Sequence, residues 1–312
     1  MNKTLFAHAA AAVAALSAGG GVVATRLVIG ETDPVSLAFY RNFVSVICFA
    51  PVLPFIWPKH RIPLTEYGKI ALLGILFFGF FPWALNASLQ YIPAARGAVG
   101  LATIPIQTLI VAVLFGRENL TLAKLIAVGL AFMGVAFVFG LEAINLSTSE
   151  YLVGDSLMLL GVFCAAIYSV FGRGTLMRHG PLFVTALAMV FAALALFPLT
   201  YFQSGTVGVP VLTREGWLAV LFLGSVSGAI QFSLFTWALR WLPATTTVLY
   251  LTLSPVTAML LGVFLIGETV TSVLVAGLIF ILSGILIGSG ALSGLTTKVA
   301  DRSFRRPLRL RP

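Results

Sequence analysis

The chain has 312 residues, of which 59% are hydrophobic and only 9% charged, and its mean hydropathy is +1.05. Soluble domains carry about 25% charged residues, so this chain cannot cover a water-facing surface, and its composition predicts an integral membrane protein. The net charge of +9 is no nucleic-acid signal: six of the nineteen Lys/Arg (Lys298, Arg302, Arg305, Arg306, Arg309 and Arg311) fall in the last fifteen residues, as in a cytoplasmic tail held near anionic lipid headgroups.

A membrane-spanning helix needs about 20 mostly apolar residues. Ten segments qualify in chain order: about 7–29, 35–57, 66–89, 92–115, 121–141, 152–172, 182–202, 214–239, 243–266 and 271–290. The first, within MNKTLFAHAAAAVAALSAGGG, has the basic start and small residues of a signal peptide. Read as a span, it preserves the internal symmetry described below, and Ala18, Gly19, Gly20 and Gly21 suit close helix packing. Asp33-Pro34 opens the second segment as cap and first helical residue. Thr65, Thr121, Thr213 and Thr271 stand at cap positions of later ones. Continuous apolar runs predict helices, which satisfy their own backbone in lipid; barrel strands would alternate at period two. Cys48 and Cys164 both lie in apolar segments and give no disulfide framework.

The Lys/Arg bias orients the segments. With the N-terminus inside, Lys3, Lys59, Arg61, Lys69, Arg117, Lys124, Arg173, Arg178, Arg240 and the tail are cytoplasmic. Only Arg26 and Arg214 are then outside, with seven acids: Glu31, Asp33, Glu142, Glu150, Asp155, Glu215 and Glu268. Both termini are expected in the cytoplasm, with the chain in the plasma (inner) membrane.

The stretch YIPAARGAVGLATIPIQTLIVAVLFGRENLT returns 150 residues later as WLPATTTVLYLTLSPVTAMLLGVFLIGETVT. Pro93 meets Pro243, Pro105 meets Pro255, Glu118 meets Glu268, Gly74 meets Gly224 and Gly134 meets Gly284. Earlier in the halves the offset is 147, where Asp33-Pro34 faces Gly180-Pro181. Each half holds five spans, an odd number, so the second half should enter the membrane inverted. The expected organisation is an all-α membrane protein of ten helices: a first repeat at 1–145, a second at 146–292 and a basic tail at 293–312. Inverted repeats are a transporter architecture, with the substrate site near the midplane between them.

These two stretches resemble the drug/metabolite transporter superfamily, EamA type, in a Pro-Ala step, a mid-helix Pro and a closing Glu and Thr, present twice in tandem. The resemblance covers nearly the whole chain. It implies ten helices, no cofactor, and a central cavity lined by helices 3, 4, 8 and 9 with contributions from 1, 2, 6 and 7. It also implies transport of amino acids, nucleotide-like cofactors or other small metabolites, most often outward in bacteria; uptake of a cofactor-like or other small solute is the alternative, since a symmetric carrier runs down whatever gradient it meets. Gly116-Arg117-Glu118 departs from Ile266-Gly267-Glu268 by an added Arg on the cytoplasmic side.

Polar side chains are costly against lipid and are expected to face the bundle interior. Arg96, Gly100, Thr103 and Gln107 fall at helical spacing on one face of the fourth span. Trp83 and Asn86 lie in the third span, Gln231 in the eighth, Arg41 in the second, Tyr168 in the sixth and Tyr250 in the ninth. Arg41, Trp83, Asn86, Arg96, Thr103, Gln107, Tyr168, Gln231 and Tyr250 are the candidate substrate-binding residues. Arg41 and Arg96 have no basic counterpart in the second half, so they favour a solute with an anionic group, held bidentately. The alternative for each polar residue is an interhelical hydrogen bond, worth about 0.6 kcal/mol on average. Pro105 and Pro255 are candidate hinges, or fixed kinks. Glu118 and Glu268 are read as capping or pairing groups at helix ends.

An enzyme would need clustered acid–base or metal groups. His8, His60 and His179 are scattered in sequence, and neither HExxH nor GxxxxGK[ST] occurs. No catalytic residue, metal or cofactor is therefore expected. The expected partners are a small-molecule substrate and the lipid bilayer, not nucleic acid, with the chain acting as a monomer or homodimer.

Overall fold

The computed structural model describes residues 3–28, 30–92, 97, 100–139, 149–204, 211–266 and 272–289. Among them there is no strand. The helices are α1 (Lys3–Val28), α2 (Pro34–Phe49), α3 (Leu64–Ser88), α4 (Gly100–Leu114), α5 (Leu122–Phe139), α6 (Ser149–His179), α7 (Pro181–Ser204), α8 (Arg214–Trp241), α9 (Ala244–Leu249, Tyr250–Thr252 and Leu253–Ile266 in succession) and α10 (Ser272–Gly288). Five described segments are long and apolar enough to cross a bilayer: Lys3–Thr25, Leu64–Ser88, Tyr151–His179, Pro181–Phe202 and Arg214–Trp241. Pro34–Phe49, Gly100–Leu114, Leu122–Phe137 and Val275–Gly288 are apolar but shorter.

Local chemistry explains several ends. Asp33 Oδ1 accepts from Val35 N at 3.0 Å and Ser36 N at 2.9 Å, capping α2 with Pro34 behind it. Thr213 caps α8 by accepting from Gly216 N at 3.0 Å. Thr121 Oγ1 accepts from Lys124 N at 3.3 Å. Thr65 does not cap α3; the residue before that helix is Pro63, with no side-chain cap bond. Thr271 lies outside the described residues. The second segment stops at Phe49 rather than running to 57, because Pro51 and Pro54 cannot continue its hydrogen bonding, and only one further turn forms at Leu53–Ile56. Gly180, at φ 89°, alone joins α6 to α7.

Two helices change pitch. A π segment interrupts α3 at Ile75–Phe80 and another interrupts α8 at Ser225–Ile230, 150 residues later. Side chains of α2 donate to a backbone carbonyl within each π segment. Asn42 Nδ2 donates to Phe78 O at 2.6 Å, and Arg41 Nη2 donates to Ser227 O at 3.0 Å.

The helices close on glycine seams, which allow the near backbone approach that holds helices together where lipid gives no hydrophobic drive. A Cβ at Gly74 would lie 2.7 Å from Ala188 Cα on α7, and one at Gly224 would lie 2.9 Å from Arg41 O on α2. Likewise Gly134 on α5 approaches Gly277 O of α10, and Gly284 on α10 approaches Ala127 O of α5. α1 packs on α8 and α9, while α6 packs on α3 and α4. Inside, Phe77, Phe78, Tyr168, Phe232 and Phe235 form one aromatic core, with Tyr168 stacked on Phe77 at 4.4 Å between centroids. Outside, large apolar side chains such as Leu114, Leu122 and Phe202 are exposed, a surface suited to lipid rather than water.

Candidate functional site

The helix irregularities converge. A cavity of about 300 Å³ is walled by α1 (Ala18, Gly21, Val22, Thr25), α3 (Phe77, Phe81, Leu85) and the interrupted parts of α4 and α9. From α4 come Leu101, Ala102 and Ile104; from α9 come Val248, Leu251, Thr252 and Ser254. α8 contributes Gln231, Phe232 and Phe235, α6 contributes Ala165 and Ser169, and α2 contributes Arg41. The volume is at the lower end of the range for small-molecule pockets, about 300–1,000 Å³. The lining draws on helices 3, 4, 8 and 9 and on 1, 2 and 6; among the described residues none comes from α7.

The wall is mostly apolar, with few polar groups. Thr25, Ser169 and Thr252 donate their hydroxyls to the backbone carbonyls of Gly21, Ala165 and Leu249 at 2.7–2.9 Å, leaving only oxygen lone pairs free. Gln231 is 5% exposed, and its Oε1 has no donor among the described residues. Arg41 is the only charged side chain of the described lining. Its guanidinium donates to Ser227 O and lies 5.6 Å from the Phe232 ring centroid. No described carboxylate lies within ion-pair distance of it.

Of the nine residues expected from sequence, Arg41 and Gln231 line this cavity. Arg96 lies outside the described residues. The other six are engaged elsewhere. Trp83 packs with Val35, Ala38 and Leu196. Asn86 donates weakly to Pro34 O at 3.5 Å. Thr103 donates to Gly100 O at 2.6 Å, and Gln107 reaches Thr103 Oγ1 and Leu159 O at 3.5 and 3.4 Å. Tyr168 is a core ring, and Tyr250 OH pairs with His8 Nδ1 at 3.0 Å.

Pro105 is not inside a continuous helix. It is the second residue of the regular part Ile104–Leu114, after a turn at Thr103, where its missing N–H leaves no helical bond unmade. The Tyr250–Thr252 turn precedes Leu253–Ile266, which contains Pro255, in the same way. Interrupted helices at a cavity are the backbone pattern of secondary transporters.

The cavity phenylalanines were not foreseen, since a cavity-facing Phe and a lipid-facing Phe read alike in sequence. Two polar contacts between the halves were also missed. Glu66 joins Lys69 Nζ and Arg178 Nη1, each at 2.9 Å, and approaches His179 Nε2 at 3.5 Å; His179 Nδ1 is 3.0 Å from His60 Nε2. Thus two of the three scattered histidines meet. Elsewhere Glu31 accepts from Thr213 N and Oγ1, both at 2.7 Å. Glu118 does pair and cap: it binds Lys124 at 2.8 Å and accepts from Thr245 N, at the start of α9 rather than its own helix, at 3.1 Å. Glu268 lies outside the described residues.

A bundle of apolar helices around a small cavity, with one charged side chain in its described lining, has the plan of a membrane transporter. The chain matches the EamA-like transporter family twice, over residues 5–140 and 152–289, and it belongs to that family. It is a multi-pass membrane protein of the drug/metabolite transporter type. An uncharacterized transporter of Archaeoglobus fulgidus is 28% identical over 82% of this chain and 88% of its own length. The uncharacterized transporter YyaM of Bacillus subtilis is 26% identical over 86% and 88%. A solved crystal structure superimposes with a TM-score of 0.74 over 93% of this chain and 98% of its own, at 20% identity; that likeness bears on the fold alone.

Proposed function

We propose that this protein is a secondary transporter that moves a small metabolite, an amino acid or related organic anion or zwitterion, outward across the plasma (inner) membrane by alternating access. On this reading ten helices span the bilayer as two inverted repeats, 1–145 and 146–292, with both termini and the 293–312 tail cytoplasmic. The transporter works as a monomer or homodimer and needs no cofactor.

Several observations support the architecture. The family match falls in two segments, the π segments lie 150 residues apart, and the packing of α1 on α8 is answered by that of α6 on α3. On this topology the contacts Glu66–Arg178 and Glu31–Thr213, each between the halves, fall at opposite membrane faces, as the gates of alternating access would. Export is the direction that the family resemblance implies.

One observation carries the site assignment: Arg41, a guanidinium without a described carboxylate partner, lines the cavity. A substrate carboxylate is the partner that such a fork takes bidentately. The test is an untargeted comparison of medium and cell extracts from cells with the protein, without it, and with Arg41→Gln. One carboxylate-bearing solute should move from cells to medium only with the wild type. The proposal fails if no solute redistributes, or if Arg41→Gln moves the same solute with unchanged half-saturation.

A further inference from the structure

We infer that the cavity takes an organic monoanion with an apolar body and one hydrogen-bond donor, in preference to the zwitterionic amino acid of the same skeleton. This rests on the transport reading above and narrows its substrate class.

Charge and proton counts distinguish the two solutes. The described lining holds one charge, the Arg41 guanidinium, and no carboxylate. A monoanion neutralises it. A zwitterion brings its own ammonium, attached one carbon from the carboxylate, to within a few ångströms of the same guanidinium, where like charges repel strongly at low dielectric. That ammonium has three protons to place and no described counter-charge, and a buried cation without one is costly.

The polar neutral groups match a single donor better. Gln231 Oε1 lacks a donor, and Gln231 lies one turn beyond Ser227, whose carbonyl holds Arg41. A group that reaches Arg41 therefore has Gln231 beside it, and one O–H next to a carboxylate meets both needs. Phe77, Phe81, Phe232 and Phe235 supply the wall for the apolar body.

The experiment uses the full-length protein in liposomes and three probes of one skeleton at pH 7: 3-phenyllactate (anion), phenylalanine (zwitterion) and phenethylamine (cation). Counterflow should give phenyllactate a half-saturation on the order of tenfold lower than phenylalanine, the worth of one charge-assisted hydrogen bond, with no saturable flux of the amine. Arg41→Gln should abolish that gap. Arg41→Lys, which keeps the charge, should retain the anion preference and guards against a variant that merely fails to fold. If phenylalanine is carried as well as or better than phenyllactate, the transport reading stands and this inference is overturned. If the anion preference survives Arg41→Gln, the assignment to Arg41 is overturned. If none of the three moves, both readings fall.

Discussion

Replacing Gly74 by Ala adds one methyl group at the α3–α7 seam. Its Cβ would sit 2.7 Å from both Ala188 Cα and Ala188 O, whereas ordinary contact begins near 3.4 Å. The obstacle is backbone, which cannot rotate away, so the two helices must part by about 0.7 Å locally. Overpacking of this kind costs about 1–3 kcal/mol. Against it stands the helix preference of Ala over Gly, worth about 1 kcal/mol. Gly68 separates the two effects, because it lies on the same helix and a Cβ there meets nothing within 4 Å. Gly68→Ala should keep or raise stability, and Gly74→Ala should fall below it by about 1–3 kcal/mol, a gap of a few degrees in melting temperature. Heating each variant in detergent and measuring the monodisperse fraction by size exclusion reads that gap. Gly224→Ala should behave like Gly74→Ala, since its Cβ would meet Val44 and Arg41 O. If Gly74→Ala melts together with Gly68→Ala, the close approach of α3 and α7 does not limit stability and the reasoning is refuted.

Three further outcomes are expected. Asn42→Leu removes the donor to Phe78 O and should cost about 1–3 kcal/mol; a melting temperature equal to wild type would mean that water or a neighbouring group satisfies that carbonyl. Asp33→Ala uncaps α2 and should cost about 0.5–2 kcal/mol, with Asp33→Asn recovering most of it in the same melt. Lys69→Gln removes an ammonium whose side chain is 57% exposed, so its effect should stay below about 1 kcal/mol and shrink with salt. Glu66→Ala, which strips Arg178, Lys69 and Thr175 of their shared acceptor, should exceed it in the same assay.

The fold was legible where chemistry is local or repeats. Asp33-Pro34 and Thr213 mark helix starts because a cap acts within three residues. The paired Gly74 and Gly224, and Gly134 and Gly284, were visible because a backbone approach tolerates no side chain. The π segments were not visible, since no local residue pattern marks them and the α2 donors that reach their carbonyls are distant in sequence. The same limit governs the site. The Arg96 stripe assumes one continuous helix; Arg96 lies outside the described residues, a turn interrupts α4 at Thr103, and Gln107 reaches Leu159 O of α6 at 3.4 Å. Arg41 and Gln231 turn inward to the cavity because an ionic group and a carboxamide are costly in lipid. Tyr168 satisfied the same rule by stacking in the core instead.

Arg41 holds its place by donating to the Ser227 carbonyl, within the π segment of α8. A carboxylate in the cavity would compete with that carbonyl for the guanidinium, and the charged acceptor is the stronger. On the proposed reading, a bound carboxylate would slacken this tie between α2 and α8 while forming one to cargo. The loaded protein would then trade a fixed internal strut for a removable one, which would make the mobility of the α2–α8 seam a readout of occupancy.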